Sequence, residues 1–509
     1  MNLDTNIRLD WSIVKLGDIC EKAAKIKRKE VNPDEEFIYL DIGGIDNQSN
    51  RITSHKKYQW EDAPSRAQQI VKVGDTLFST VRTYLKNIAI VDNPMYENQI
   101  CSSGFTVIRS INELADSKYL FVLSLSEGFL GPLNKLQTGT SYPAVRDKDV
   151  FGQIIPLPPI PEQRTIVSKI EQLFSDLDNG IENFKKAQEQ LKIYRQAVLK
   201  NACEGKLVPT EAELARNEGR DYEPADVLLA RILEERREKW NGKGKYKEPV
   251  APDTSGLAEL PEGWKWATAQ ILSAFESESI CAGPFGTIFK AKDFRPFGVP
   301  IIFLRHVGPC RYLTHKPNFM DKTKWEELFK PYSVFGGELL ITKLGVPPGI
   351  CAIYPNGIGP AMVTPDVMKM NVNEEVASPR FLMYYFNSEM SRRFTSGSAF
   401  GTTRLRITLP IFRNMPIPLP PLAEQHRIVT EVERRLSICD NMEETITESL
   451  QKAESLRQSI LKKAFEGKLL NEKELEEVRN APDWEPADKL LERIKAEKTN
   501  TKAEKKGKK

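Results

Sequence analysis

The strongest constraint on this chain is a stretch that it carries twice. Pro156-Leu157-Pro158-Pro159-Ile160-Pro161-Glu162-Gln163 returns as Pro418-Leu419-Pro420-Pro421-Leu422-Ala423-Glu424-Gln425, 262 residues later. The offset then holds without a gap. Ile166-Val167 matches Ile428-Val429, Asp178-Asn179 matches Asp440-Asn441, and Arg195-Gln196 matches Arg457-Gln458. Glu204-Gly205-Lys206-Leu207 matches Glu466-Gly467-Lys468-Leu469, and Glu223-Pro224-Ala225-Asp226 still falls on Glu485-Pro486-Ala487-Asp488. Solenoid repeats run about 20–50 residues, so this is one whole unit duplicated.

Each copy reads as a long helix. Prolines suit a first turn, and Glu162 or Glu424 suits the positive end of the helix dipole. Apolar residues then recur every three or four positions: Ile166, Ile170, Leu173, Leu177, Phe184, Leu191, Tyr194 and Val198 in the first copy. Ile428, Val432, Leu436, Cys439, Ile446, Leu456 and Ile460 follow in the second. That spacing makes one apolar stripe per helix, with Gly205 and Gly467 as C′ caps. A helix from Glu162 to Cys203 would be ~60 Å long. A narrow stripe of that length is best buried against a similar one, and the chain supplies it. The residues expected at the partner or helix interface are Ile166, Ile170, Leu177, Leu191, Ile428, Val432, Leu456 and Ile460.

Residues 1–155 alternate short β-rich runs (Phe37–Leu40, Thr76–Phe78, Ile88–Val91, Phe105–Ile108) with Gly, Asn, Asp and Pro, then a helix from Ser117. Residues 257–415 repeat the landmarks: Gly74-Asp75-Thr76-Leu77-Phe78-Ser79-Thr80 aligns with Gly337-Glu338-Leu339-Leu340-Ile341-Thr342-Lys343. Elsewhere the two domains hardly resemble each other. The divisions expected are a first domain (1–155), a first helical region (156–240), a linker (241–256), a second domain (257–415), a second helical region (416–500) and a lysine-rich tail (501–509). A polar linker and a short helix, Glu223–Trp240 or Glu485–Glu497, are expected after each long helix.

These features together, Pro-Leu-Pro-Pro with Glu-Gln and a long helix, twice, each behind a divergent α/β domain, resemble the specificity (S) subunit of type I restriction-modification systems. Gly74 to Arg82, Trp264-Lys265-Trp266, and Gly283-Pro284-Phe285-Gly286 with Gly298-Val299-Pro300 add to the likeness, which covers nearly the whole chain. The resemblance implies an α+β fold with two target-recognition domains separated by two long antiparallel helices, a coiled coil with pseudo-twofold symmetry. It implies that each domain reads one half of a split site in double-stranded DNA. The helices would set the spacer and dock two methyltransferase (M) subunits, and the assembly would recruit restriction (R) subunits. The subunit itself would catalyse nothing, with S-adenosylmethionine held by the methyltransferase partner.

The remaining features fit. The chain has no Asn-Pro-Pro-aromatic sequence of the kind amino-methyltransferases use and no G-x-x-x-x-G-K-[ST] phosphate loop. Asp41-Ile42-Gly43-Gly44 reads as a strand-to-turn element. Seven scattered cysteines without a CxxC, and four histidines, give no zinc signature and suit a reducing cytoplasm. No signal peptide or membrane-spanning run is expected. With 73 Lys and Arg against 70 Asp and Glu, total charge does not announce a nucleic-acid partner. Residues 1–155 hold 19 basic and 20 acidic side chains, and residues 256–412 hold 17 and 13, so a DNA face must come from segregated charge. The candidates are Thr80, Arg82, Lys86, Asn87 and Thr140 in the first domain. In the second they are Thr342, Lys343, Thr403 and Arg404, chosen for phosphate, guanine and close backbone approach. The Lys25–Lys29 run serves equally as a solvated surface. Asp41 and Arg305, at one point on the shared scaffold, either read different bases or have different internal partners; the second is favoured.

Two other classes remain at this point: a stand-alone DNA methyltransferase, which the missing motifs disfavour, and a coiled-coil protein scaffold that binds no DNA. Salt-dependent DNA binding by the assembled complex separates the scaffold from the favoured reading. If the domains are modular, exchanging residues 1–150 for another member's first domain changes one half-site in the methylated motif. A change in both half-sites would contradict modularity.

Overall fold

The computed structural model describes residues 10–111, 114–240, 245–284, 289–400 and 405–492. The chain forms two compact units, one from residues 1–185 with 447–509, the other from residues 186–446. Both cuts fall inside the long helices, Ile160–Cys203 and Leu422–Phe465, each 44 residues and therefore roughly 65 Å long. Each unit thus owns the first part of one helix and the last part of the other. Within each unit the two segments pack antiparallel.

In the first unit the long helix is entered from the strand Ile154–Leu157, which pairs antiparallel with Ser12–Lys15. This is a two-stranded sheet, where Pro156 is tolerated because an edge strand need not donate on both sides. Gln163, fully buried, then makes three hydrogen bonds. Its Oε1 accepts from the Asp116 N–H at 2.8 Å, and its Nε2 donates to the carbonyls of Pro158 at 2.8 Å and Leu114 at 3.2 Å. Asp116 caps the helix Ser117–Ser124, so one side chain bolts that helix to the start of the long one. Tyr119 Oη adds a bond to the Pro156 carbonyl at 2.9 Å.

The second unit repeats the joint. Pro416–Leu419 pairs with Lys265–Thr268. Gln425 accepts from the Ser378 N–H at 2.8 Å and donates to the carbonyls of Val376 and Pro420, both at 3.0 Å. Tyr385 Oη reaches the Pro416 carbonyl. Glu424 is also buried, accepting from the Trp264 indole N–H at 2.9 Å and the Glu211 N–H at 2.8 Å. Burial raises its carboxyl pKa, and those two donors oppose the rise. Burial would also raise Glu211, but Arg220 and Arg427, each 2.6 Å away, hold it below the ordinary carboxylate value.

In the first unit two four-stranded sheets stand before the helices. Their strand orders are 56–59, 36–40, 100–102, 67–70 and 20–21, 105–110, 76–79, 88–90. In the second unit a five-stranded sheet runs 294–295, 318–320, 299–302, 361–363, 333–334. A four-stranded one runs 280–282, 367–370, 339–342, 351–353. Fully buried Phe78, Tyr119 and Leu130 share one core with Ile166 and Ile170 of the first long helix and Ile460, Leu461 and Phe465 of the second. In the other unit Tyr385, Phe412 and Ile417 join Val198 and Leu199, with Ile428 and Val432 opposite. The ends of the helices therefore belong to the cores of the α/β domains as well as to the helix seam. Leu191 is buried and Leu177 half-buried. Leu456 lies off the helix seam, 50% exposed, and Tyr194 at the equivalent position is 44% exposed.

Gly205 and Gly467 end the helices in the left-handed conformation (φ 67° and 70°). Lys206 N donates to the Asn201 carbonyl and Lys468 N to that of Lys463, the six-to-one bond of a Schellman cap. The polar linkers expected after the long helices contain further helices, Glu211–Glu218 and Glu472–Arg479, each with a capping box from Thr210 with Glu213 or Asn471 with Glu474. The short helix expected at Glu223–Trp240 spans Ala225–Glu238. Of the one expected at Glu485–Glu497, residues 487–492 are helical and the remainder lies outside the described residues, as does the lysine-rich tail. Among the described residues no helix is long and apolar enough to cross a membrane.

Replacing Gln163 or Gln425 by Ala leaves a buried N–H and two carbonyls without partners. Each substitution should therefore lower unfolding stability by about 2–4 kcal/mol, measured by urea denaturation of the full chain. A loss below about 0.5 kcal/mol would show that the joint is held by something else.

Candidate nucleic-acid interface

In the first domain the strand Thr76–Ser79 is buried along its whole length, and burial continues one residue further. Thr80 is 8% exposed, its hydroxyl spent on the Gly104 carbonyl at 2.9 Å. The expectation that Thr80 faces DNA is corrected accordingly: it ties the end of the strand. The chain then turns through a short 3-10 segment, Thr83–Leu85, flanked by Arg82 (φ 50°) and Lys86 (φ 54°), both left-handed without being glycine. Each such residue costs about 1–2 kcal/mol and persists only where its neighbours fix it. Here they do. Arg82 N donates to the Pro143 carbonyl at 2.7 Å. Asn47 and Asn50 donate side-chain N–H groups to the carbonyls of Leu85, Lys86 and Ile88. Thr83 donates to Asn134 Oδ1 at 2.5 Å and accepts from Gln137. Lys86 pairs with Glu127 at 3.1 Å, and Asn87 is half-buried.

Beside this turn a narrow loop follows the helix Glu127–Leu136. Thr138 and Ala144 exchange both backbone hydrogen bonds at 3.0 Å, and Val145 N donates to the Thr80 carbonyl. Gly139 takes φ 103°, where a Cβ would sit 3.1 Å from the Tyr142 carbonyl oxygen. Thr140 and Ser141 are exposed, and Tyr142 is 70% exposed. Arg82 Nη2 donates to the Ser141 carbonyl at 3.0 Å, and its guanidinium carbon lies 4.9 Å from the Tyr142 ring centroid. Sequence reasoning names Arg82 and Thr140 but misses Tyr142; an aromatic between Ser and Pro in a Gly/Thr loop was the available signal.

The second domain builds the same loop neck. Phe400 and Arg406, 262 positions on from Thr138 and Ala144, exchange hydrogen bonds at 3.1 and 3.0 Å. Gly345 N donates to the Leu405 carbonyl, as Arg82 N does to Pro143. Thr342 and Lys343 are 4% and 5% exposed, which corrects the expectation that they stand at the surface. Thr342 Oγ1 accepts from the Ile350 N–H at 2.9 Å. Lys343 is held through its backbone by Asp366 and Ile407. Burial lowers its ammonium pKa, nearby Arg406 adds to this, and Asp366 opposes it. Thr403 and Arg404 lie outside the described residues.

Other candidates resolve into internal roles. Arg28 donates to the carbonyls of Ala63 and Ala67, both at 3.3 Å, and Lys27 pairs with Glu30; Lys25 and Lys29 are exposed. Asp41 caps the turn Ile42–Gly44 by accepting from the Gly44 N–H and pairs with Lys56 at 2.6 Å. The Asp41-Ile42-Gly43-Gly44 segment is thus a turn in which a Cβ on Gly44 would fall 2.3 Å from the Ser54 carbonyl oxygen. Arg305 stacks over Phe303 at 4.4 Å. Desolvation pushes the thiols of buried Cys203 and half-buried Cys310 up to about 12, which keeps them protonated and poor nucleophiles. Among the described residues no group of three or more His, Cys, Asp or Glu side chains is placed to hold a metal ion.

Comparison with known proteins gives a consistent result. The family model of the type I restriction modification DNA specificity domain matches residues 8–187 and 318–452. The chain is 24% identical over 389 residues to the type I restriction enzyme EcoBI specificity subunit of Escherichia coli, covering 76% of this chain and 73% of that one. It is 25% identical over 482 residues to the MjaVIII specificity subunit of Methanocaldococcus jannaschii, covering 90% and 93%. Among solved structures, it superposes at TM-score 0.67 and 26% identity on a chain from a study of complex assembly and conformational transition of the type I R-M system, covering 91% and 100%. The HsdS subunit from Thermoanaerobacter tengcongensis gives TM-score 0.57 at 26% identity, covering 92% and 99%.

One titration follows from the turn after Phe303. His306 is buried and its Nδ1 accepts from the Phe303 N–H at 2.9 Å. Burial, then Arg305 and His315, push its pKa down to about 4, against about 6.5 unfolded. Between those values the unfolded chain binds a proton that the folded chain does not. The contribution is therefore whole above pH 6.5 and is lost as pH falls to 4, up to about 3 kcal/mol. His306→Gln, which keeps an acceptor and removes the titration, should lose about 1–3 kcal/mol less than wild type over that range in urea unfolding. Equal losses would contradict this.

Proposed function

Because the chain belongs to the family of type I restriction-modification DNA specificity domains, we infer that it is the sequence-reading subunit of such a complex. Its recognition domains, residues 1–155 and 257–415, each read one half of a bipartite site in double-stranded DNA. The helices set the unread spacer and dock two methyltransferase subunits, and the assembly takes on restriction subunits. The chain does no chemistry itself. S-adenosylmethionine is bound by the partner, and the complex works in the cytoplasm.

The single observation that carries this reading is a contrast. The mount is built twice from the same residues, Gln163 and Gln425 with their three bonds each. The loop it positions differs, with Arg82 in one domain where Gly345 stands in the other. A part that serves identical partners must stay alike, while parts that read different bases must diverge. Half-sites read from one face lie about one helical turn, ~34–36 Å, apart. Exposed Tyr194 and Leu456, at matching positions, suit two equivalent partner contacts.

Base-resolved sequencing of methylation in the host, with the gene intact and deleted, tests this reading. Loss of one split motif, methylated on both strands, is expected, while an unchanged methylome in a host with an active methyltransferase partner would contradict it. Inserting about four residues, roughly one turn, near Ala187 should change the spacer and leave both half-sites as they were. An altered half-site would count against the spacer role.

A further inference from the structure

We propose that Tyr142 is the residue of the first recognition domain that enters the DNA groove, and that Arg82 is a positioning residue that holds ring and loop in place without itself reading DNA. The proposal rests on the DNA-reading function inferred above.

Arg82 is the obvious reader by residue type, since an Arg presents paired N–H groups to guanine. Here one arm of its fork is already engaged. Nη2 donates to the Ser141 carbonyl, the guanidinium face covers Tyr142, and Nε is enclosed without a hydrogen-bond partner. Its left-handed backbone is locked by the bond to Pro143 and by the bridge between Val81 and Ala144. All of these contacts run to the loop 138–144. They fix the loop's shape, and strain kept in one place by several neighbours is common at functional sites.

Tyr142 is the opposite case. Its ring is supported on one face by the guanidinium and is otherwise 70% exposed. An ordered, exposed aromatic surrenders little conformational freedom when it binds. Its neighbours extend the pattern. Tyr84, Leu85 and Leu136 are exposed on the turn and helix joined by the Thr83–Asn134 hydrogen bond. Around this apolar ridge stand several basic side chains. Apart from Arg82, residues 79–87 and 127–149 carry four Lys or Arg (Lys86, Lys135, Arg146, Lys148) and three acidic residues (Glu127, Asp147, Asp149), Lys86 being paired with Glu127 and Arg146 with Asp149. An exposed apolar wedge flanked by lysines such as Lys135 and Lys148 fits a duplex groove, where apolar side chains contact thymine methyls or part base steps while cations meet phosphates.

The test uses the full chain assembled with its methyltransferase partner, and a duplex bearing the motif that the host methylome reveals, with Kd measured over a series of salt concentrations. Tyr142→Ala should weaken binding about tenfold to a hundredfold, the range of a lost aromatic–base contact, with an unchanged melting temperature. Tyr142→Phe should stay within about threefold of wild type. Arg82→Ala should weaken binding comparably, add little on top of Tyr142→Ala, and leave the slope of log K against log salt unchanged. A phosphate-contacting Arg82 would instead lower that slope by about one. Arg82→Gly relieves the left-handed strain, so it keeps the fold if Ala does not, and should show the same binding loss. Wild-type binding by Tyr142→Ala, or a slope lowered by about one in Arg82→Ala or Arg82→Gly, overturns the proposal. Failure of the wild-type complex to prefer any sequence overturns the functional reading instead.

Discussion

Everything in each unit depends on one buried amide. Gln163 and Gln425 sit at the point where a strand from the recognition domain becomes a long helix, and where the domain's own first helix begins. An amide can do there what a carboxylate cannot, because it donates to two carbonyls and accepts from an N–H at the same time. Buried neutral hydrogen bonds contribute about 1 kcal/mol each when made, and their donors and acceptors cost more when left unmade. The joint is therefore a directional constraint more than a store of energy. It fixes the angle at which a recognition domain leaves its helix, and a DNA reader needs that angle kept.

The helix seam is specified by a second reciprocal device. Arg195 contacts Asp440 at 2.6 Å and Glu443 at 3.0 Å in one unit, and Arg457 contacts Asp178 in the other. Arg457 is the copy of Arg195, and Asp178 the copy of Asp440. Each copy's Arg finds the other copy's Asp, the self-complementary pattern of a twofold interface. The carboxylates are largely exposed, so each pair is worth at most about 1 kcal/mol. Stability comes from the apolar side chains beneath, such as Ile166, Val198, Ile428 and Ile460. The ion pairs instead penalise a slipped register, which would separate Arg from Asp in both units together.

Much of this was legible in the sequence because it is periodic. The 262-residue offset, the three-four spacing of apolar residues and the terminal glycines led directly to the paired helices and their caps. The Thr210 to Glu213 capping box was also there to be read, but its helix is only eight residues long and vanishes inside a polar stretch. What composition could not reveal is where a side chain is spent. Glu162 and Glu424 suit a helix dipole by type, yet Glu424 is buried against an indole N–H. Thr342 ends an apolar strand, Thr80 and Lys343 each follow one directly, and all three are buried. Arg82 has the chemistry of a base reader and Tyr142 the look of a loop residue. Only the left-handed turn and the loop neck exchange their apparent roles, and neither leaves a periodic trace.

Each unit carries a dissimilar reader on the same duplicated mount, an arrangement suited to recognising a site in two halves. The most direct test of that recognition is the affinity of the assembled complex for duplexes in which each half-site, or the spacer alone, is altered. The account predicts that a base change in either half weakens binding independently of the other. It also predicts that adding one base pair to the spacer weakens binding although both half-sites are intact. Affinity indifferent to spacer length would contradict the proposed spacer role of the helices, and affinity indifferent to both half-sites would contradict the reading of DNA sequence itself.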